Sequence, residues 1–512
     1  MQQDNTANNK RIAKNTLVLY VRMLFLMAIG LYTSRVILQA LGVEDFGIYN
    51  VVGGFVALFA ILSKSMSSAA TRFLNFEMGK GNKDKLENLF STLLAIHLLL
   101  AVLIAVLSEV IGIWFLNNKM VISSDRLYAA NWVFQFSVIT FCLNLTVVPF
   151  RAAIIAHERM SAFAYVSIFE GIGKLLVCYL IMMSPFDRLI FYALLLLFIQ
   201  VGVILYYQRY SLNHFEECRL HFALDKSQVK EISGFVIWNT IGTSSAILRN
   251  QGGNVLINLF GGPVVNAARA VANQVLHAVD GFVHNFVMAL KPQITKSYAS
   301  GDWGYMMDLI YKGSRFSYYM LLFLCLPILV NTDYILHLWL KTVPDHSVMF
   351  VRLTLIFTMI ESISQPLITA QLATGKIRSY QIVIGGLQML NLPVSYVILK
   401  MGGMPETILY VAIFFSFCCL STRLYMLRGM INLKTLDFSV KVLLNILLVT
   451  ICAALIPVWA FFSMDKSLFN FLILAILCFC STFVSSFYIG CSRNEREYII
   501  TKVSNIKKKL IR

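Results

Sequence analysis

Apolar stretches of roughly 20 residues recur along the whole chain, separated by short polar breaks, and as helices each is long enough to cross a hydrocarbon core of about 30 Å. They lack the strict apolar and polar alternation of transmembrane barrel strands, and they run about twice as long. The pattern predicts about fourteen helical spans. These lie near residues 14–40, 46–76, 88–110, 126–150, 161–183, 188–208, 230–259, 263–290, 313–331, 347–372, 379–400, 406–427, 439–461 and 468–490. The expected fold class is therefore all-α and integral to the membrane. The polar opening MQQDNTANNKRIAK leads into a first run too long for a signal-peptide core and without a small-residue cleavage site, so it is read as a retained span.

Composition agrees with this reading: of 512 residues, 58% are hydrophobic and 13% charged, with a mean hydropathy of +0.72. The net charge of +17 is informative through its distribution. Assigned alternately to the two sides, the loops carry about 28 Lys/Arg on one side and about six on the other, which places both termini in the cytoplasm. An even number of spans requires the same arrangement of the termini. The basic end KVSNIKKKLIR is read as a topology anchor against an anionic lipid surface. Nucleic acid is excluded as a partner. The ten cysteines have no metal-ligand spacing and are read as apolar fillers.

A weak internal repeat organises the chain. PFRAAIIAHERMSAFAYV from Pro149 aligns without a gap on PLITAQLATGKIRSYQIV from Pro366, matching Ala153 with Ala370 and Ala156 with Ala373. A similar displacement sets LGVEDFG at Leu41 beside FGGPVVN at Phe260, and GKGNKDKLENL at Gly79 beside ASGDWGYMMDL at Ala299. The expected organisation is two pseudo-symmetric six-helix lobes, 1–208 and 230–427, with a cytoplasmic linker at 209–229, two added helices at 439–490 and a basic tail at 491–512. Paired halves of this type enclose a substrate site and work by alternating access. No loop is long enough to be a soluble catalytic domain, and no nucleotide-binding loop, nucleophile elbow or HExxH helix occurs. The chain is expected to be a transporter, not an enzyme, with no cofactor and no metal.

Candidate site residues are the ionisable groups inside the spans. Arg35, Arg72 and Arg423 fall near span ends, where they are expected to snorkel. Arg22, Lys64, Arg249 and Arg269 lie deeper, where a lipid-facing charge costs about 2.5–3.5 kcal/mol, so they should face a wet cavity or a counter-charge. On a helical wheel Arg269, Asp280, Asn273, Asn266, His284 and His277 share a wedge of about 80°, a polar stripe along span eight. This stripe is read as a cavity wall, with Arg269, Asn273, His277 and His284 engaging substrate and Asp280 responding to protons. A packing ion pair and a His277, Asp280, His284 metal site are the competing readings. Glu361 on span ten is a second candidate for ion coupling, and Glu170 with Lys174 forms a self-neutralising i,i+4 pair.

SRVILQALGVEDFGIYNVVGG (34–54), SSAATRFLNFEMGKGN (67–82), NQGGNVLINLFGGPVVNAARAVANQV (250–275) and ALKPQITKSYASGD (289–302) resemble the polysaccharide-exporting branch of the multidrug/oligosaccharidyl-lipid/polysaccharide (MOP) superfamily. The resemblance implies a bacterial inner-membrane protein of fourteen helices in two lobes. Such a protein turns an undecaprenyl-diphosphate-linked oligosaccharide from the cytoplasmic to the periplasmic leaflet for O-antigen or capsule assembly. It also implies that Arg22, Lys64, Arg249 and Arg269 meet the diphosphate, with membrane lipids and H+ or Na+ as further partners. A cation-coupled multidrug (MATE-type) exporter is the alternative, and it would call for an acidic lumen.

Overall fold

The computed structural model describes residues 2–57, 59–118, 122–184, 186–218, 225–340, 343–465, 467–497 and 500–501; the end of the basic tail, from 502, lies outside them. Among the described residues the chain is helical, with no strand. The main elements are α1 (Gln2–Ala57), α2 (Ala60–Lys80), α3 (Lys83–Asn118), α4 (Leu127–Ala156), α5 (Met160–Met182), α6 (Arg188–His214) and α7 (Lys226–Ser300). They continue with α8 (Trp303–Val330), α9 (Thr332–Trp339), α10 (Ser347–Thr374), α11 (Arg378–Lys400), α12 (Thr407–Ile431), α13 (Thr435–Ser463) and α14 (Leu468–Gly490).

Among the described residues eleven helical stretches are long and apolar enough to cross a membrane. Expected spans two, seven and eight are not among the eleven, and each of them includes side chains that lie outside the described residues. α7 is helical over 75 residues, which would measure about 110 Å if straight. Both of its ends nevertheless meet α2: Glu231 lies 3.8 Å from Arg72 and the Tyr298 ring 6.2 Å from that of Phe76. The segment therefore doubles back, as two crossings require, with Gly261, Gly262 and Pro263 at its midpoint in sequence.

The chain packs as two compact units, 1–244 with 291–302, and 245–290 with 303–512, so the division falls inside α7 and not in the loop at 209–229. In the first unit, α4 and α6 seal Val133, Phe134 and Leu189 beneath Val52 and Ile181, all 1% exposed or less. In the second, Leu321, Leu322, Phe350 and Leu367 are equally enclosed. α13 and α14 join the second unit through α8. The Phe323 and Phe479 rings lie 4.7 Å apart, and Arg315 donates to the Gly490 carbonyl at 3.0 Å and to Glu495 at 2.9 Å.

The repeat is present in the backbone. α2 and α7 both end on a glycine in the left-handed region, Gly81 at φ 73° and Gly301 at φ 76°, where a Cβ is disfavoured. Pro149 and Pro366 lie inside α4 and α10. The matched alanines 153, 156, 370 and 373 are at most 1% exposed, because the helices approach too closely at these turns for a larger side chain.

Candidate substrate-binding site

The second unit gathers charge around α10. Arg249 and Arg269 approach from α7, Glu361 belongs to α10 itself, and Arg423 comes from α12. The Arg249 guanidinium lies over the Phe357 ring at 4.9 Å, within electrostatic range of Glu361 and Arg423. Arg269 is 8% exposed; its Nη1 donates to Thr354 Oγ1 at 3.2 Å, while its Nε is buried without a protein acceptor. Glu361 accepts from Ser416 Oγ at 2.6 Å. Arg249 and Arg423 thus lie within electrostatic range of one carboxylate, and Arg269 lies within range of Arg249 with its Nε donor unmet. Such a group attracts a multivalent anion, since arginine grips phosphate oxygens with paired hydrogen bonds.

Arg423 corrects the expectation of snorkelling. It is 2% exposed, and it donates through Nε to the Tyr380 hydroxyl at 3.0 Å and through Nη1 to Ser364 at 2.9 Å. Arg72 is corrected in the same way. It is 6% exposed, with its guanidinium 4.4 Å from the Phe73 ring and 4.7 Å from that of Phe76. From α7 it also meets Glu231 at 3.8 Å and the Phe235 ring at 5.8 Å, so for both arginines neighbouring helices supply partners that a span-end rule cannot see. The side chain of Arg35 lies outside the described residues.

The first unit holds the other two candidate cations, each in its own setting. Arg22 is half-buried, 4.5 Å from the Phe163 ring, and within electrostatic range of Glu170, Arg151 and Tyr207. Lys174 donates to Glu170 at 2.7 Å, the i,i+4 pair expected. Lys64 is exposed and near enough to Lys291 to act on it electrostatically. Arg151 was missed in sequence because it follows Pro149 at an expected span end. Its guanidinium lies 5.3 Å from the Tyr207 ring, and a basic residue between two long spans carries no signal that it points inward.

Along the stripe of α7, burial falls off from one end. Arg269 is buried, Asn273 is half-buried, and His277, Asp280 and His284 are exposed; the Asn266 side chain lies outside the described residues. Among the described residues no three His, Cys, Asp or Glu side chains form a metal-ligand group. The stripe therefore joins the arginine cluster to an accessible surface of the unit.

The model of a family described as "Polysaccharide biosynthesis protein" matches residues 12–298. No curated protein matches the chain. Among solved structures, a MATE protein in complex with MaD3S is similar, with a TM-score of 0.72 and 11% identity over 83% of this chain and 97% of its own. A MOP superfamily transporter from Pyrococcus furiosus, described by the reverse polarity of its binding pocket, gives 0.69 and 10% over 82% and 96%. A Vibrio cholerae MATE transporter, VcmN, gives 0.69 and 15% over 83% and 98%. At these identities the likeness is one of fold.

Proposed function

Because this chain belongs to the polysaccharide biosynthesis protein family and has the fold of MOP-superfamily transporters, we propose that it is a flippase for polyprenyl-diphosphate-linked oligosaccharides. In this reading it carries the undecaprenyl-diphosphate form from the cytoplasmic to the periplasmic leaflet of a bacterial inner membrane, for O-antigen or capsule assembly. It works by alternating access, keeps both termini in the cytoplasm, and makes or breaks no covalent bond. The observation that carries the reading is the chain of Arg269, Arg249 and Arg423, in which Arg249 and Arg423 lie within electrostatic range of Glu361 and Arg269 within range of Arg249.

A diphosphate bears about two negative charges, and the cluster has a formal surplus of two cations with an unmet Arg269 donor to receive it. The resemblance gives Arg22 and Lys64, in the first unit, a substrate-binding role as well. Asp280 and Glu361 respond to H+ or Na+, so that a change in their charge alters the hold of the arginines on the substrate. An exporter of cationic drugs is disfavoured, because arginines outnumber carboxylates among these groups. The test is flipping of a fluorescent undecaprenyl-diphosphate oligosaccharide in proteoliposomes. Wild type should move the lipid, and Arg249→Ala and Arg269→Ala should lose at least about tenfold in rate, roughly one strong charge-assisted contact each. Normal flipping by both folded variants would remove the arginines from the site.

A further inference from the structure

The last turns of α7 pass from one unit to the other. The chain belongs to the second unit up to Leu290 and to the first from Lys291 to Asp302. The end of α2 lies against this segment so closely that a Cβ on Gly79 would come within 2.7 Å of both the Lys296 carbonyl oxygen and Ala299 Cβ. From the turn between α4 and α5, Glu158 Oε1 accepts from Gln293 Nε2 at 2.7 Å and from Lys296 Nζ at 3.0 Å. The same residue holds the start of α1, with Arg11 3.6 Å from its Oε2 and Asn15 donating to its backbone carbonyl at 3.2 Å.

The chemistry of this grip is that of a contact that opens. Gln293, Thr295 and Ser297 are buried in it beside Ile294, and a polar contact surface parts and rehydrates more readily than an apolar one. Glu158 makes the opening all-or-none. Its side chain is 1% exposed, whereas those of Lys296 and Arg11 are 22% and 50% exposed, so the cations can turn into water while the carboxylate left behind would be buried without its partners. A half-released state is therefore unfavourable. A permanent stop needs neither this charge nor the strain that Glu158 bears at φ 58°, since the matched turn of the second unit is made with Gly375.

We infer that Glu158 is the catch of a conformational latch, which holds residues 291–302 to the first unit and releases them in one step when the protein rearranges. The inference rests on the alternating access of the proposed function, in which one half rocks against the other and the crossing from Leu290 to Lys291 carries the load. In the proposed topology the latch lies at the cytoplasmic ends of α2, α4 and α7, so its release belongs to the step that opens the protein toward the cytoplasm.

Hydrogen–deuterium exchange on the full-length chain in lipid nanodiscs tests the latch. In wild type the amides of residues 291–300 should exchange together, as one cooperative opening. Glu158→Gln and Lys296→Met should each speed that opening by about tenfold, while the amides of residues 129–138 in α4 keep their rate. Should Glu158→Gln fail to fold, Glu158→Gly, which relieves the backbone, and Lys296→Met, on a partly exposed side chain, carry the test. Unchanged exchange at 291–300 in the folded variants overturns the inference. An equal rise over 129–138 marks a tie of the whole unit and also overturns it, as does graded, residue-by-residue exchange in wild type, which is fraying from Gly301. Proteoliposome flipping separates the latch from the reading it rests on. Faster cooperative exchange in a protein that moves no lipid leaves the latch standing and removes the flippase, whereas lipid movement with unchanged exchange does the reverse.

Discussion

The two units place buried charge differently on one repeated plan. At the turn from α4 to α5, the first unit has Glu158 in the left-handed region at φ 58°; at the matching turn from α10 to α11, the second has Gly375 at φ 74°. Glycine adopts this backbone freely, whereas another residue there is strained by about 1 kcal/mol or more. The strain at Glu158 is offset by what its carboxylate joins. Its side chain is 1% exposed and accepts from Gln293 at 2.7 Å and Lys296 at 3.0 Å, bringing the end of α7 to the turn. Arg11 of α1 lies 3.6 Å away. The second unit leaves its turn to glycine, and its most enclosed charge is Arg423, within α12.

The opposite ends of the same helices repeat the contrast. In the first unit Arg126, before α4, donates to Asp187, before α6, at 2.6 Å and also bonds Asp45. In the second, at matched positions, His346 before α10 lies 2.5 Å from Glu406 before α12. The repeat preserves a strut between these two helix starts while changing its chemistry from guanidinium to imidazole.

The largest effect should come from Arg423. Arg423→Leu strips Tyr380 and Ser364 of their donor and leaves Glu361 with one arginine fewer, a loss of about 3–5 kcal/mol if the site is as dry as its burial indicates. A large fall in apparent melting temperature in detergent is expected, and a fall no greater than that of a surface substitution would show that the site is wet. Glu158→Gln should follow, at roughly 2–4 kcal/mol, because Lys296 loses its anion while the backbone strain remains. Glu158→Gly should recover about 1 kcal/mol of that loss by releasing the strain; if it is no better than Gln, the positive φ is not costly.

The repeated helix stops give a smaller, matched pair. A Cβ at Gly81 or at Gly301 meets no atom within 4 Å, so Gly81→Ala and Gly301→Ala should each cost about 1 kcal/mol from backbone conformation alone. Unequal melting shifts would break the equivalence. The smallest effect is acid-dependent. Burial raises the Asp187 carboxyl, but hydrogen bonds from Arg126 and from the Ile190 and Leu189 amides outweigh it and hold the group below its ordinary value of 3.8. With a depressed folded pKa, its contribution is complete at neutral pH and is lost only as pH falls through that lower value. Asp187→Asn should therefore lower the melting temperature at pH 7, and its difference from wild type should shrink as the pH falls below 3.8.

Run length and polarity made the all-helical membrane fold legible, since the bilayer sets the length of a span and allows no unpaired backbone within it. The repeat was legible too, because close helix approach demands small residues such as Ala153 and Ala370 at fixed places. The wheel along α7 put Arg269 with its polar neighbours, since a helix fixes angles between its own side chains. Which of them are buried, and what they meet, was settled by other helices. Arg423 lies four residues from an expected span end, yet Tyr380 and Ser364 enclose it. Glu158 sat in an ordinary polar break until Gln293 and Lys296, more than 130 positions on, closed over it. Local pattern determined the helices and their faces because those depend on covalent spacing. Partners across helices depend on packing, and only the tertiary structure decided them.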